Sequence, residues 1–215
     1  MVSSPAVLDS SCVLLVGTSE WLTQFETTLD TRTDATVQRV ETTSEALEVF
    51  RTGSTDCLIT EYALAETTGL DLLTEIRTDT TTFPVIMGSA SGSEAIASEA
   101  IGAGVTDYVA LTNSADQMVG DLLARTERAV RSAQRAATQR EHARQFDAIF
   151  SDSRTATWVL DPDGSLTRMN QTAREMIDDD IDTVIGEPFW TLPWWAQTDE
   201  TNTEVQQIVE NALDG

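Results

Sequence analysis

The chain has 215 residues, 40% of them hydrophobic, with 13 basic against 36 acidic side chains and a formal net charge of −23 at pH 7. That apolar share can bury a core, which excludes a disordered acidic chain, and the length accommodates one large or two small domains. A charge of this sign excludes direct, non-specific nucleic-acid binding, which needs protein cations to displace those around phosphate.

Up to about residue 125, apolar runs alternate with helical patterns. CVLLVG (12–17) reads as a buried strand, and EWLTQFETTL then places Trp21, Leu22, Phe25 and Leu29 at helical spacing. TVQRV (36–40) is a second, more polar strand. TTSEALEVFRTG opens on a capping-box pattern from Thr42 to Glu45 and closes on Gly53. DCLIT is the third strand and GLDLLTEIR the third helix. FPVIMGS (83–89) is the fourth strand, SEAIASEAIGAG a short helix ended by Gly102 and Gly104, and TDYVAL the fifth strand. Strand–helix alternation of this kind predicts an α/β fold: a doubly wound, five-stranded parallel sheet covered by helices on both faces. Functional loops then lie at the C-terminal ends of the strands.

From about 114 to 150 the pattern predicts one long connecting helix, with Gly120 as its only strong breaker. A heptad reading through Val119, Leu122, Thr126, Ala129, Ala133 and Ala136 gives a thin seam through which two copies could pair. Six of the 13 arginines (125, 128, 131, 135, 140 and 144) ride on it, against Glu127 and Glu141. We expect this helix to form a homodimer. Beyond 150, TATWVLDPDGSLTRMN reads as a hairpin with an Asp-Gly turn. A short helix, an acidic loop, the Trp-rich FWTLPWW and a final amphipathic helix, TEVQQIVENALDG, follow. Two strands are too few for an independent sheet, so the chain is expected to stop partway through a second, α+β domain.

Cys12 and Cys57 each fall within a predicted strand and are expected to be free core thiols. No basic, apolar leader opens the chain and no window approaches 18 apolar residues. The expected location is the cytoplasm, with no membrane contact. Without a leader, the sequon NQT (170–172) reads as chance.

The segments CVLLVGTSEW, DCLITEYALAETTGLDLL, FPVIMGSASGSE and GAGVTDYVAL together resemble the receiver domain of two-component response regulators. The resemblance implies the strand order 2-1-3-4-5 and a phosphoryl-accepting aspartate at the tip of the third strand. It also implies an acidic pair after the first strand that holds Mg²⁺, a hydroxyl after the fourth, an aromatic switch residue on the fifth and a lysine after the fifth. Here the acceptor position holds Glu61, the acidic pair falls on Gly17 and Thr18, the hydroxyl is Ser89 and the aromatic is Tyr108. The lysine position is Leu111, and the usual proline after it is Thr112. Phosphoryl transfer depends on positioning and charge neutralisation, and Glu61 with one carbonyl is too small an oxygen set for octahedral Mg²⁺. The expectation is a degenerate, non-enzymatic pseudo-receiver with no metal. Glu61 then either stands in for an acyl phosphate, bonded to Ser89 or nearby N–H groups, or is a solvated relic. The rival expectation is a working phosphoacceptor that uses Glu61 or the nearby Asp56, however slowly.

TWVLDPDGSLTRMNQTAREMI and GEPFW resemble the start of a PAS sensor domain. On these resemblances residues 1–124 form the receiver-like domain, 125–145 a helical linker and 146–215 the N-terminal part of a PAS domain. No cofactor is expected: 146–215 contains neither cysteine nor histidine. His142, on the linker helix, lacks a kinase phosphoacceptor context. The DDDID run (178–182) reads as a solvated loop, and Trp158, Trp190, Trp194 and Trp195 as packing. Expected partners are a second copy, a histidine kinase, and an output module (a DNA-binding helix-turn-helix or a kinase core) following the chain. The absence of lysine and the acidity resemble proteins of salt-loving archaea, in which salt screens self-repulsion.

Overall fold

The computed structural model describes residues 7–90, 94–111, 115–176, 181–194 and 199–213. Thr112, Trp195 and residues 178–180 of the acidic run lie outside them. The chain divides into two compact units, Met1–Thr138 and Gln139–Gly215.

In the first unit, strands β1 (Cys12–Val16), β2 (Thr36–Val40), β3 (Cys57–Glu61), β4 (Val85–Ser89) and β5 (Asp107–Ala110) form one sheet in the order β2-β1-β3-β4-β5. All four pairings are parallel. Helices α1 (Glu20–Arg32), α2 (Thr43–Arg51), α3 (Gly69–Asp79) and α4 (Glu94–Gly102) join the strands, and α5 (Ala115–Phe150) follows β5. This is the doubly wound fold expected from the alternation. The strand period of two sorts the core. Val13, Leu15, Cys57, Ile59 and Ile86 pack under α1 and α5 with Leu22, Phe25 and Leu29. Leu14, Val16, Leu58, Val85 and Met87 pack under α2, α3 and α4 with Ala46, Leu72, Leu73, Ile76 and Ala100.

Local chemistry sets the helix starts. Thr42 accepts from the Glu45 N–H while the Glu45 carboxylate accepts from the Thr42 N–H, the expected capping box. Thr68 and Asp71 form a second box at α3. The hydrogen bonds from Thr68 hold the Asp71 carboxyl below its usual range. Both cysteines are free; Cys57 is buried, which pushes its thiol up to about 12, and Cys12 is half-buried.

The predicted seam of α5 needs correction. Val119, Leu122, Thr126 and Ala129 are 8%, 0%, 0% and 7% exposed. Three of them, with Val130, belong to the core of the chain's own first unit. The helix turns this apolar stripe onto the sheet, and Arg125 pins it there with a bond of 2.7 Å to Asp107 on β5, its guanidinium held by a second bond of 2.8 Å to Asp121 of the same helix. These residues are therefore not available to a partner.

In the second unit, β6 (Trp158–Leu160) and β7 (Leu166–Met169) form an antiparallel pair. Gly164 closes its turn with φ +84°, and a Cβ there would strike the Trp190 ring, so the position needs glycine for conformation and for space. Helices α6 (Gln171–Glu175), α7 (Ile181–Val184) and α8 (Asp199–Leu213) complete the unit, with a short 3-10 turn at Phe189–Thr191. Trp158 meets Phe189 edge-on at 5.9 Å, and Trp158, Trp190 and Trp194 all pack against the small core around Leu166, Met169 and Val209.

Asn170 is the polar hub of this unit. Its Oδ1 accepts from Thr157 N and Ala173 N, and its Nδ2 donates to Thr155 O at 2.7 Å and Asp152 O at 3.4 Å. At 3% exposure and with both ends of its amide engaged, it has no free group for the glycan that NQT nominally marks.

Leu122→Ala is expected to destabilise the first unit by about 2–5 kcal/mol, the range for a fully buried leucine. Ala136→Ser should change it by less than about 0.5 kcal/mol, as a substitution away from the core. Urea unfolding of both variants followed by circular dichroism checks the contrast; equal effects would contradict the intramolecular packing of α5.

Candidate functional site

The tip of β3 is assembled by close approach. Glu61 pairs in register with Gly88 on β4, and Tyr62 N donates to Gly88 O at 2.9 Å. Gly69, the first residue of α3, lies so close to the Glu61 carbonyl that a Cβ there would overlap it. The main chain of Glu61 is thus fixed by neighbouring backbone.

Its side chain turns toward the β1–α1 loop. The Glu61 Oε1 accepts from Ser19 N at 2.7 Å, its one hydrogen bond among the described residues. A Cβ on Gly17 would overlap both Oε1 and Cδ of Glu61, and Gly17 has φ +133°. The glutamate therefore occupies the space that any side chain at 17 would need. Ser19 is the N-cap of α1 and offers no side-chain cap, so the carboxylate sits at the positive end of that helix, where a negative charge is stabilised. Of the two partners expected for this carboxylate, Ser89 or a nearby backbone N–H, the bond is made by a backbone N–H of the β1–α1 loop.

The other predicted positions surround this seat. Thr18 is exposed and Gly17 buried. Ser89 is 5% exposed at the end of β4, and Leu111 N donates to its carbonyl at 3.0 Å. The Leu111 side chain turns inward onto the cluster under α1 and α5. Tyr108 packs on the opposite cluster, and its buried hydroxyl has no hydrogen-bond partner among the described residues. Asp56 is at the other end of β3, about 16 Å away at the usual strand rise, and accepts from Cys12 N at 2.8 Å. It takes no part in the site. His142 is exposed on α5.

Trp21 and Arg39 were not singled out for this site in the sequence. The Trp21 ring lies across Gly88, where a Cβ would come within 2.8 Å of its Cη2, with Leu111 Cδ1 at 3.5 Å. An indole and a leucine thus cover the β4 side of the site with apolar atoms. The signal was the lone glycine in VIMGS, which marks close approach to a strand. Arg39, at the end of β2, binds the β1–α1 loop from the side: Nε to Gly17 O at 3.1 Å, Nη2 to Ser19 O at 3.3 Å, and Nη1 to Thr23 Oγ1 at 2.8 Å and Glu26 Oε2 at 3.2 Å. No group of three or more His, Cys, Asp or Glu side chains able to hold a metal occurs among the described residues.

A doubly wound sheet with an acidic tip on its middle strand, a hydroxyl ending the next and an aromatic on the fifth defines a signal-receiver fold. The response regulator receiver domain family matches residues 13–123, more than half of the chain, and the chain belongs to that family, which places it in two-component signalling. Among solved structures it is similar to a CheY-like response regulator receiver domain protein from Methanospirillum hungatei JF-1. That match has a TM-score of 0.52 at 16% identity and covers 59% of this chain and 98% of that one. It is also similar to the signal receiver domain of an HD domain-containing protein from Pseudomonas fluorescens Pf-5, with a TM-score of 0.50 at 19% identity, covering 58% and 97%.

Gly17→Ala is expected to cost roughly 1–3 kcal/mol from its positive φ alone, with the overlap on Glu61 added. Glu61→Ala in the same chain should remove only the second part. A double-mutant cycle by urea unfolding reads the coupling; strictly additive effects would show that the two positions do not meet.

Proposed function

We propose that the first unit is a pseudo-receiver: a non-catalytic signalling domain whose own glutamate does the work of a phosphorylated aspartate. One observation carries this reading. The Glu61 carboxylate is already bonded to the β1–α1 loop in the space above Gly17, so neither an acidic metal ligand at 17 nor an incoming phosphoryl group finds room there. The Trp21–Leu111 cover supports it, because developing phosphoryl charge on that side meets apolar atoms and no cation among the described residues. A fixed, bonded carboxylate favours the phosphate-mimic reading over the solvated relic.

The second unit we assign to a PAS-like sensor, on the sequence resemblance of residues 146–215 and on its Asp-Gly hairpin followed by the Asn170-capped helix. Signals then pass between a histidine kinase or output module and the receiver, in the cytoplasm of a salt-adapted organism. No helix among the described residues is long and apolar enough to cross a membrane. Homodimerisation through α5 is confined, on this reading, to its outer part around Ala133 and Ala136. Light scattering of the full chain in molar salt checks it, and a monomer at high concentration removes it.

Incubation with acetyl phosphate and Mg²⁺, followed by intact-mass spectrometry, is expected to give no adduct. A stable acyl phosphate on Glu61 would overturn the reading. Glu61→Gln keeps the side-chain length and removes the charge facing α1, and should shift the Tyr108 ring resonances by NMR. Unmoved resonances would leave Glu61 a bystander.

A further inference from the structure

The β1–α1 loop is gripped from two sides. Glu61 takes the N–H of Ser19 and Arg39 takes its carbonyl, so a carboxylate and a guanidinium bracket the Ser19 residue. Arg39 also holds the carbonyl of Gly17, the residue on which the Glu61 side chain rests. Its remaining bonds go to a hydroxyl and a carboxylate of α1. All four acceptors are oxygens: two backbone carbonyls, Thr23 Oγ1 and Glu26 Oε2. A set of hard oxygens converging on one partly buried positive group is the environment that binds a cation, here filled by a side chain of the same chain. The Arg39 and Glu26 side chains are 22% and 32% exposed, so the contact is only partly open to salt screening. The planar guanidinium reaches all four acceptors at once, which a lysine ammonium with three donors could not do.

We propose that Arg39 is the built-in cation of this site, a positioning residue that holds the β1–α1 loop so that the Ser19 N–H faces Glu61. The inference rests on the pseudo-receiver reading for its significance and on the four hydrogen bonds for its geometry. Without the guanidinium the two carbonyls and the Glu26 carboxylate are left facing a vacated, oxygen-lined seat. The loop then relaxes, and the Glu61 carboxylate loses its fixed donor. A small guanidinium ion added from solution can refill that seat; an apolar side chain of similar length cannot.

The experiment compares the full chain with Arg39→Ala and Arg39→Met, by thermal unfolding and by hydrogen exchange at the Ser19 amide, with methylguanidinium chloride or equal NaCl at low millimolar concentration. Arg39→Ala is expected to lower the midpoint of the first unit by about 5 °C and to speed Ser19 exchange at least tenfold. Methylguanidinium should recover half or more of both losses in Arg39→Ala and neither in Arg39→Met. An Arg39→Ala chain with the wild-type midpoint and Ser19 protection would overturn the proposal. So would equal recovery by NaCl, or equal recovery in Arg39→Met. If Arg39→Ala does not fold, Arg39→Lys replaces it: partial Ser19 protection is expected, and full protection sinks the idea that the four-way geometry matters. A failed pseudo-receiver reading would show itself separately, as an acyl phosphate on the wild-type chain.

Discussion

A glutamate carboxylate resting on a glycine and bonded to the N–H beyond it is the contact around which this receiver is arranged. It exists because β1 and β3 are adjacent and parallel, with Val16 opposite Thr60 in register. That pairing brings the C-terminal ends of both strands to the same edge and sets Gly17 beside Glu61. The longer reach of glutamate over aspartate is directed sideways onto the loop. The carboxylate gains a charged hydrogen bond and the favourable end of the α1 dipole, and Gly17 makes the room for it.

The rest of the site follows from how charge is handled in a chain with 36 acids and only arginine for cations. Arg39 and Arg125 are polydentate. Arg39 binds four oxygens around the loop, and Arg125 joins two aspartates across β5 and α5. Such fork geometry keeps its value where point charges are screened, since each bond is directional as well as electrostatic. The side of the site opposite Arg39 is apolar, through Trp21 and Leu111. Among the described residues, Arg39 gives the backbone loop of the site its cationic support.

The second unit is held differently. Asn170 ties Asp152, Thr155, Thr157 and Ala173 together within about twenty residues of chain by side-chain amide bonds. Arg168 on β7 lies over the rings of Phe146 and Phe150, 5.3 and 4.6 Å from their centroids, and the two rings stack on successive turns of α5. This cation–π contact joins the strand pair to the end of the helix inside one unit. Nearly all of these links are short in sequence, whereas the central bond of the first unit's site, Ser19 N to Glu61, joins residues 42 positions apart.

Strand and helix positions, the capping box at Thr42 and the doubly wound class were legible in the sequence because each depends on periodicity or on neighbours three or four residues apart. The residue types at 17, 18, 61 and 111 were legible too, since they are read directly from the chain. The direction taken by the Glu61 side chain, the covering of Gly88 by Trp21 and the grip of Arg39 were not, and neither was the burial of the α5 stripe in its own domain. A heptad pattern shows that one face of a helix is apolar; whether that face meets a second chain or the chain's own sheet is settled only when the crossover from β5 lays the helix down. Long-range pairing chooses which groups meet, and hydrogen bonds reach only about 3 Å, so the chemistry of this site was decided by the tertiary structure.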